Sequence, residues 1–149
     1  MLLDGFLMFS NGQVLTGTAD STNIIDLQNA RDLGIGEDVT LKIFVSTSAA
    51  LLSGGATTLD VAMQGSTDGS TWTTMWSQTG IPKANITNAG TRIASFDWPR
   101  PVAGQAMARY YKLVYTVGTG PFTGGSVSAG VVLDDQASPQ YPASLVVNN

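Results

Sequence analysis

Hydrophobic side chains at every second position are the feature that most constrains this fold. The alternation runs from Val39 to Ser46, and it returns from Leu59 to Gln64 and from Arg109 to Val117. A period of two puts successive side chains on opposite faces of an extended chain, so each segment is predicted to be a half-buried strand. Five further strands are predicted: Gln13–Leu15, Asn23–Leu27, Trp72–Ser77, Arg92–Phe96 and Val127–Leu133.

Turn-forming residues separate the predicted strands. Glycine-rich turns occur at Ser53–Gly55, Asp68–Gly69 and Gly118–Pro121. Two prolines in Trp98–Pro101 exclude a central strand there, because proline cannot donate to a sheet. About eight short strands with such turns predict an all-β fold, an antiparallel β-sandwich of the jelly-roll type. An immunoglobulin-like sandwich is the alternative, although its cysteine pair is absent.

The two ends of the chain lack the alternation of the middle. Residues 1–20 and 136–149 are therefore predicted to be extended arms that flank a sandwich domain over residues 21–135. Both arms still contain apolar residues, which we expect to dock on a neighbouring subunit: Phe6, Phe9, Tyr141 and Leu145. No apolar run approaches the roughly 18 residues needed to cross a bilayer, so no membrane partner is expected.

Charged residues are scarce and unevenly placed. Only 12% of the residues are Asp, Glu, Lys or Arg, about half of the usual share of roughly 25%. A low charge content is typical of a surface that packs against other subunits, because desolvating charges costs free energy. No cluster of Lys and Arg occurs, and nucleic-acid binding depends on such a cluster, so no nucleic-acid partner is expected.

The composition excludes most catalytic machinery. Histidine and cysteine are both absent, which removes Ser-His-Asp triads, thiol nucleophiles and the usual zinc ligands. An acidic group remains, made up of Asp26, Asp32, Glu37 and Asp38. Its spacing matches no calcium loop, and an interface-facing acidic loop is a simpler explanation than a hydrolase pair. We therefore expect no enzyme activity, no cofactor and no metal.

The segment from Ser66 to Trp72 predicts a hairpin turn. Asp68 would cap the turn, Gly69 would adopt a left-handed backbone conformation, and Trp72 would pack under the loop. A carbohydrate-binding surface is the alternative function for this region, because aromatic rings stack on sugars. Four aromatic residues are candidates for such stacking: Trp72, Trp76, Tyr110 and Tyr111.

Six blocks together resemble the capsid cement, or decoration, proteins of tailed bacteriophages, in particular the family on podophage heads of the Bordetella-phage type. The resemblance covers roughly residues 20–135, and the order and spacing of the blocks are more specific than any single block. The blocks are Ser21–Leu27, Ala30–Glu37, Gln64–Trp72, Arg109–Val117, Phe122–Gly125 and Ala129–Asp134.

The resemblance implies a jelly-roll protein that is made in the host cytoplasm and located on the exterior of the virion. It implies homo-oligomers that clamp neighbouring major capsid protein subunits together, and the sequence leaves open whether the oligomer is a dimer or a trimer. The expected contacts are the two arms and the region Asp26–Asp38, which would meet basic capsid loops. A lectin-like module on the virion or tail surface is the alternative function.

Overall fold

The computed structural model describes residues 4–30, 41–55, 57–100 and 106–133. Over these residues the chain forms nine strands and two short 3₁₀ helices, at Gly5–Leu7 and Lys83–Asn85. The strands are β1 (Met8–Val14), β2 (Ala19–Asp20), β3 (Ile25–Asp26), β4 (Lys42–Leu52), β5 (Thr58–Ser66), β6 (Thr73–Pro82), β7 (Arg92–Asp97), β8 (Tyr110–Gly118) and β9 (Gly124–Val132).

Two antiparallel sheets make up the sandwich. The first sheet has the order β1-β9-β4-β7, and the second has the order β2-β8-β5-β6, with β3 also pairing with β8. Since β2 and β3 share one edge of β8, they act as one interrupted strand. Counted that way, the eight strands follow the orders 1-8-3-6 and 2-7-4-5, the double Greek key of a jelly roll. The predicted fold class is confirmed.

One hydrophobic core lies between the two sheets. The inward-facing side chains of β5 (Leu59, Val61 and Met63) are fully buried, as the period of two predicts. Trp76 of the second sheet stacks on Phe96 of the first, with ring centroids 3.6 Å apart. Each fully buried aliphatic or aromatic side chain contributes about 1.5–3 kcal/mol by leaving water, so this shared core holds the sheets together.

The N-terminal arm predicted over residues 1–20 is wrong from residue 8 onward. Residues Met8–Val14 form β1, which pairs with β9, and β2 also precedes residue 21. Phe9 is 0% exposed and belongs to the core, so it is not the exposed contact that was predicted. The alternation is hidden here because Gly12 has a φ of 64° and the register of β1 shifts twice along β9. The predicted C-terminal arm, residues 136–149, lies outside the described residues.

The two ends of the sandwich are built from different connections. At one end β4 begins, since Lys42 pairs with both Val132 of β9 and Asp97 of β7. The edge-to-face contact of Trp98 with Tyr111 places the start of β8 at the same end. The chain therefore enters β1 and leaves β9 at this end, which we call the terminal end. The turns that follow β1, β4, β6 and β8 lie at the opposite end.

Candidate interaction surface

Exposed apolar side chains are concentrated at the terminal end. Seven large apolar residues of the described chain are exposed, and only Val14 and Leu52 belong to the opposite end. The other five flank the start of β1, the start of β3, the start of β8 or the end of β9; they are Phe6, Leu7, Ile24, Met107 and Leu133. Contiguous exposed apolar surface marks interaction sites on monomeric folds, and two of these residues, Phe6 and Ile24, line one groove.

Phe6 is the most exposed of these residues and is held by a short ordered turn. Its side chain is 93% exposed. The Asp4 carboxylate accepts a hydrogen bond from the Phe6 amide at 3.0 Å, and the Leu7 amide donates to the Asp4 carbonyl at 3.0 Å. These bonds fix the backbone of the 3₁₀ helix. The Phe6 ring is thus presented to solvent in advance, which lowers the entropy lost on binding.

A shallow groove adjoins Phe6. It has a volume of about 450 Å³ and is lined by Gly5, Phe6, Met8, Thr22, Asn23 and Ile24. The Asn23 amide donates to the Phe9 carbonyl at 2.9 Å, and the Asn23 side-chain amide donates to the Met8 carbonyl at 3.1 Å. These two bonds hold the segment before β3 against β1, so both walls of the groove belong to the sandwich.

A small second apolar cluster lies next to the groove, on the outer face of the first sheet. Its members Met8, Phe44 and Val132 are buried, although they point away from the main core. Gly130 lies between Met8 and Phe44 in the register, and a Cβ atom there would stand 2.6 Å from the Met8 sulfur. The absence of a side chain at this glycine allows the two residues to close over β9. Met8, the first residue of β1, directly follows Phe6 and Leu7 and is therefore packed in place.

Asp26, a predicted contact residue, is already paired within the chain. The guanidinium of Arg109 donates to both carboxylate oxygens of Asp26 at 2.7 Å. This pairing holds the pKa of the Asp26 carboxyl below its usual range. The bidentate bond also ties β3 to the start of β8. The other predicted acidic contacts, Asp32, Glu37 and Asp38, lie outside the described residues, as do Tyr141 and Leu145.

The outer face of the second sheet alternates cations with aromatic rings. The Lys112 ammonium lies 2.7 Å from the Asp20 carboxylate and 4.5 Å from the centroid of the Trp72 ring. The Arg109 guanidinium lies 4.7 Å from the centroid of the Tyr110 ring. On this face, Lys112, Asp20 and Arg109 are therefore already in contact with other groups of the same chain.

The predicted hairpin turn is present between β5 and β6. The Asp68 carboxylate accepts hydrogen bonds from the backbone amides of Ser70 and Thr71, each at 2.8 Å, and Gly69 has a φ of 77°. These donated bonds hold the pKa of the Asp68 carboxyl well below its usual range. The ring nearest to Gly69 is that of Tyr110, so Tyr110 rather than Trp72 packs beneath the turn.

The four aromatic candidates for sugar stacking do not form one open surface. Tyr111 is buried in the core, and Trp76 is stacked on Phe96. Trp72 and Tyr110 remain on the outer face of the second sheet, but a cation lies over each ring. The carbohydrate alternative therefore has no exposed aromatic platform to support it in the described part of the chain.

Among the described residues, no three carboxylates are close enough together to hold a metal ion, and no helix is long and apolar enough to cross a membrane. Burial raises the pKa of the Tyr115 phenol, which bonds to Ser10 inside the core. This phenol is sealed from solvent, so it belongs to the stability of the fold.

Sequence reasoning found Phe6 but missed the rest of the exposed set at the terminal end. One signal was available at Ile24, which is adjacent to Ile25. Two successive side chains of an extended segment face opposite sides, so one of the two isoleucines had to point outward. Ile25 is buried and Ile24 is 52% exposed. Leu133 was predicted to belong to the strand Val127–Leu133, but it lies just past the end of β9 and is exposed, and Met107 lies outside the strands.

Comparison with known proteins identifies the family of this chain. No curated protein matches the chain. The model of the Bbp16 family, a family name taken from a Bordetella phage protein, matches residues 9–131. The match begins inside β1 and ends inside β9, so it covers nearly all of the sandwich. The chain, matched over 123 of its 149 residues, is a member of the Bbp16 family.

Proposed function

We propose that this protein is a structural virion protein, a capsid cement protein that binds the outside of a phage head. Its partner would be the major capsid protein, and it would hold neighbouring capsid subunits together as a homo-oligomer. Membership of a phage protein family supports the phage setting. The single observation that carries the binding role is Phe6, 93% exposed on an ordered turn beside a shallow groove.

The proposed mechanism is adhesion and involves no chemical reaction. An aromatic anchor that fills a pocket on a partner is the residue type that dominates binding free energy at protein interfaces. Burying Phe6 and Ile24 would each contribute about 1.5–3 kcal/mol per copy before the cost of association. Many copies act in parallel on one head, so a moderate free energy per copy is sufficient to stiffen a shell.

The low charge content agrees with this role. A surface made mainly of Ser, Thr, Asn, Gln and Gly can be covered by a partner with little loss of charge hydration. A specific contact of typical size buries roughly 1,600 Å² in total. The sandwich supplies a rigid body for such a contact, because its edges and its core are joined by the paired strands described above.

The direct test uses purified protein and expanded heads of the parent phage that were assembled without it. Binding is measured by co-sedimentation, and head stability by the temperature at which the packaged DNA is released. We expect saturable binding and a rupture temperature that rises with the number of copies bound. Heads that already carry the protein serve as the control and should bind no more. Absence of binding to the empty sites would refute the proposal.

A further inference from the structure

Asn11 is the one asparagine of the chain that is followed by a glycine. In such a pair the backbone nitrogen of the glycine can attack the carbonyl carbon of the asparagine side chain, because glycine has no Cβ to obstruct the approach. The reacting atoms belong to adjacent residues, so the attack is intramolecular and closes a cyclic imide. The pair is therefore chemically reactive wherever the local backbone can rotate.

The structure places Asn11 and Gly12 in a β-bulge of β1. At this point two residues of β1 oppose the single residue Ser128 of β9, and neither of the two has a register partner there. Both are exposed, and Gly12 has a φ of 64°, in the left-handed region that favours glycine. Rotation of the backbone in the bulge therefore disturbs no register pair between β1 and β9.

The residues on either side of the bulge are held in place. The Ser10 hydroxyl donates to the side-chain oxygen of Gln13 at 2.7 Å, and the Gln13 side-chain amide donates to the Asp20 carbonyl at 2.8 Å. The Ser10 hydroxyl also lies 2.9 Å from the Tyr115 hydroxyl inside the core. A chemical change between Ser10 and Gln13 should therefore remain local and leave the sandwich folded.

One hydrogen bond restrains the reactive nitrogen. The Gly12 amide donates to the Ser128 hydroxyl at 2.9 Å, and the Ser128 hydroxyl lies 2.6 Å from the Ser48 hydroxyl. Both contacts are exposed, so water can replace the hydroxyl as the partner of the Gly12 amide. The bond should therefore slow an attack by the Gly12 nitrogen without preventing it, since a neutral hydrogen bond at the surface is weak.

We propose that Asn11 is a site of spontaneous deamidation that Ser128 restrains. The Gly12 nitrogen bonds to Cγ of Asn11, and the side-chain nitrogen of Asn11 leaves as ammonia with the proton of the Gly12 amide. Water then opens the cyclic imide. Cleavage between Cγ and the Gly12 nitrogen gives aspartate, whereas cleavage of the original peptide bond gives isoaspartate. Water is the co-reactant, and the electron pair of the broken bond stays on the Gly12 nitrogen, which regains a proton.

The modification changes the charge and the backbone of β1. Both products replace a neutral amide with a carboxylate, so each event adds one negative charge to the surface. Isoaspartate also lengthens the backbone by one carbon atom. β1 is an edge strand of the first sheet, and the bulge already interrupts its register with β9, so the longer backbone can be accommodated there. The reaction requires the chain and water alone, so it does not depend on the proposed function.

Peptide mapping by mass spectrometry tests the proposal on the purified chain after incubation in warm, mildly alkaline buffer. We expect Asn11 to be converted to aspartate and isoaspartate while far-UV circular dichroism shows a folded chain. The same chain unfolded in urea gives the rate without the fold. If Asn11 stays intact in the folded chain while it is converted in urea, the proposal is wrong. The internal controls are asparagines that precede a residue with a side chain, and they should react more slowly: Asn23, Asn29, Asn85 and Asn88.

Two serine variants test the restraint. Ser128→Ala removes the acceptor of the Gly12 bond and should speed the conversion of Asn11 about two- to tenfold, as expected for loss of one neutral hydrogen bond. Ser48→Ala is the matched control, because it removes the contact between the two hydroxyls and leaves the Gly12 bond in place. It should react at the wild-type rate. Equal rates for the wild type and Ser128→Ala would refute the role of Ser128.

Discussion

At the scale of single residues, the position relative to the start of a strand decides whether an apolar side chain is buried or exposed. Phe6 and Phe9 are the same amino acid, three positions apart, and both were predicted to be contacts. Phe9 is the second residue of β1 and faces the core, whereas Phe6 lies in the turn before the strand and faces solvent. The hydrophobicity of the residue is therefore no guide to its role without the strand boundary.

The stability of the core should depend on pH through Tyr115. Gln13 donates to the Asp20 carbonyl and accepts from the Thr22 amide, so the Ser10 hydroxyl must donate to Gln13. The Tyr115 hydroxyl, 2.9 Å from the Ser10 oxygen, then has to donate to Ser10. Ionisation of the phenol would destroy this bond inside the core, and burial raises the pKa of Tyr115 above its usual value of 10.0.

We predict that Tyr115→Phe destabilises the fold near neutral pH and removes part of its sensitivity to alkali. The loss of one buried hydrogen bond should cost about 1 kcal/mol. Because the pKa of Tyr115 is raised in the folded state, its contribution is complete below pH 10 and is lost as the pH rises above 10. There the wild type should lose up to about 1.4 kcal/mol per pH unit more than Tyr115→Phe.

Urea unfolding at pH 7, 10 and 11 measures this difference. Tyr110→Phe is the matched control, since it removes a phenol from the outer face of the second sheet and leaves Tyr115 in place. It should keep the wild-type slope above pH 10. Parallel slopes for the wild type and Tyr115→Phe would show that the buried phenol is not linked to stability.

At the scale of elements, the turn between β5 and β6 is organised by one carboxylate. Asp68 accepts bonds from the amides of Thr71 and Ser70 and from the Ser66 hydroxyl, which in turn accepts from the Gly69 amide. These bonds satisfy backbone donors that a tight turn leaves without partners. The Tyr110 ring beneath Gly69 then connects the turn to β8.

We predict that Asp68→Asn lowers the melting temperature by a few degrees at neutral pH and flattens the response to acid. The pKa of Asp68 is lowered in the folded state, so its stabilisation is present above the unfolded value near 4 and is lost as the pH falls below it. Thermal unfolding between pH 7 and pH 2 measures both effects. Ser66→Ala removes one donor to the carboxylate but keeps the backbone bonds from Ser70 and Thr71, so it should keep most of the wild-type response to acid. An unchanged acid response in Asp68→Asn would contradict the role of this carboxylate.

At the scale of the whole molecule, one core joins both sheets, so neither sheet should persist without the other. The inward faces of β4, β5, β8 and β9 belong to a single buried cluster, and the Trp76–Phe96 stack crosses from one sheet to the other. A domain of this size with a single core normally unfolds in one cooperative step.

We predict that urea unfolding is two-state. Tryptophan fluorescence reports on the contacts between the sheets, through Trp76 and Trp98, while far-UV circular dichroism reports on the strands. The two transitions should coincide. Trp72→Phe removes the signal of the outer-face tryptophan and sharpens the test. Two separated midpoints would show that the sheets unfold independently, contrary to the shared core.

The sequence by itself determined the local structure. Alternation over Leu59–Gln64 and Arg109–Val117 predicted strands that the structure contains as parts of β5 and β8, and Asp68–Gly69 predicted the turn after β5. These features depend on backbone geometry within a few residues, so a short stretch of sequence is enough to predict them. The fold class followed because about eight such strands can bury their apolar faces only in two packed layers.

Only the tertiary structure decided which distant residues meet. The Asp26–Arg109 and Asp20–Lys112 pairs join positions 83 and 92 residues apart, and no local pattern specifies them. The same holds for Ile24, which reaches the groove beside Phe6 because the segment before β3 packs on β1. Such contacts depend on how the sheets fold over each other to fill one core. For this reason the candidate surface, unlike the strands, became visible only in three dimensions.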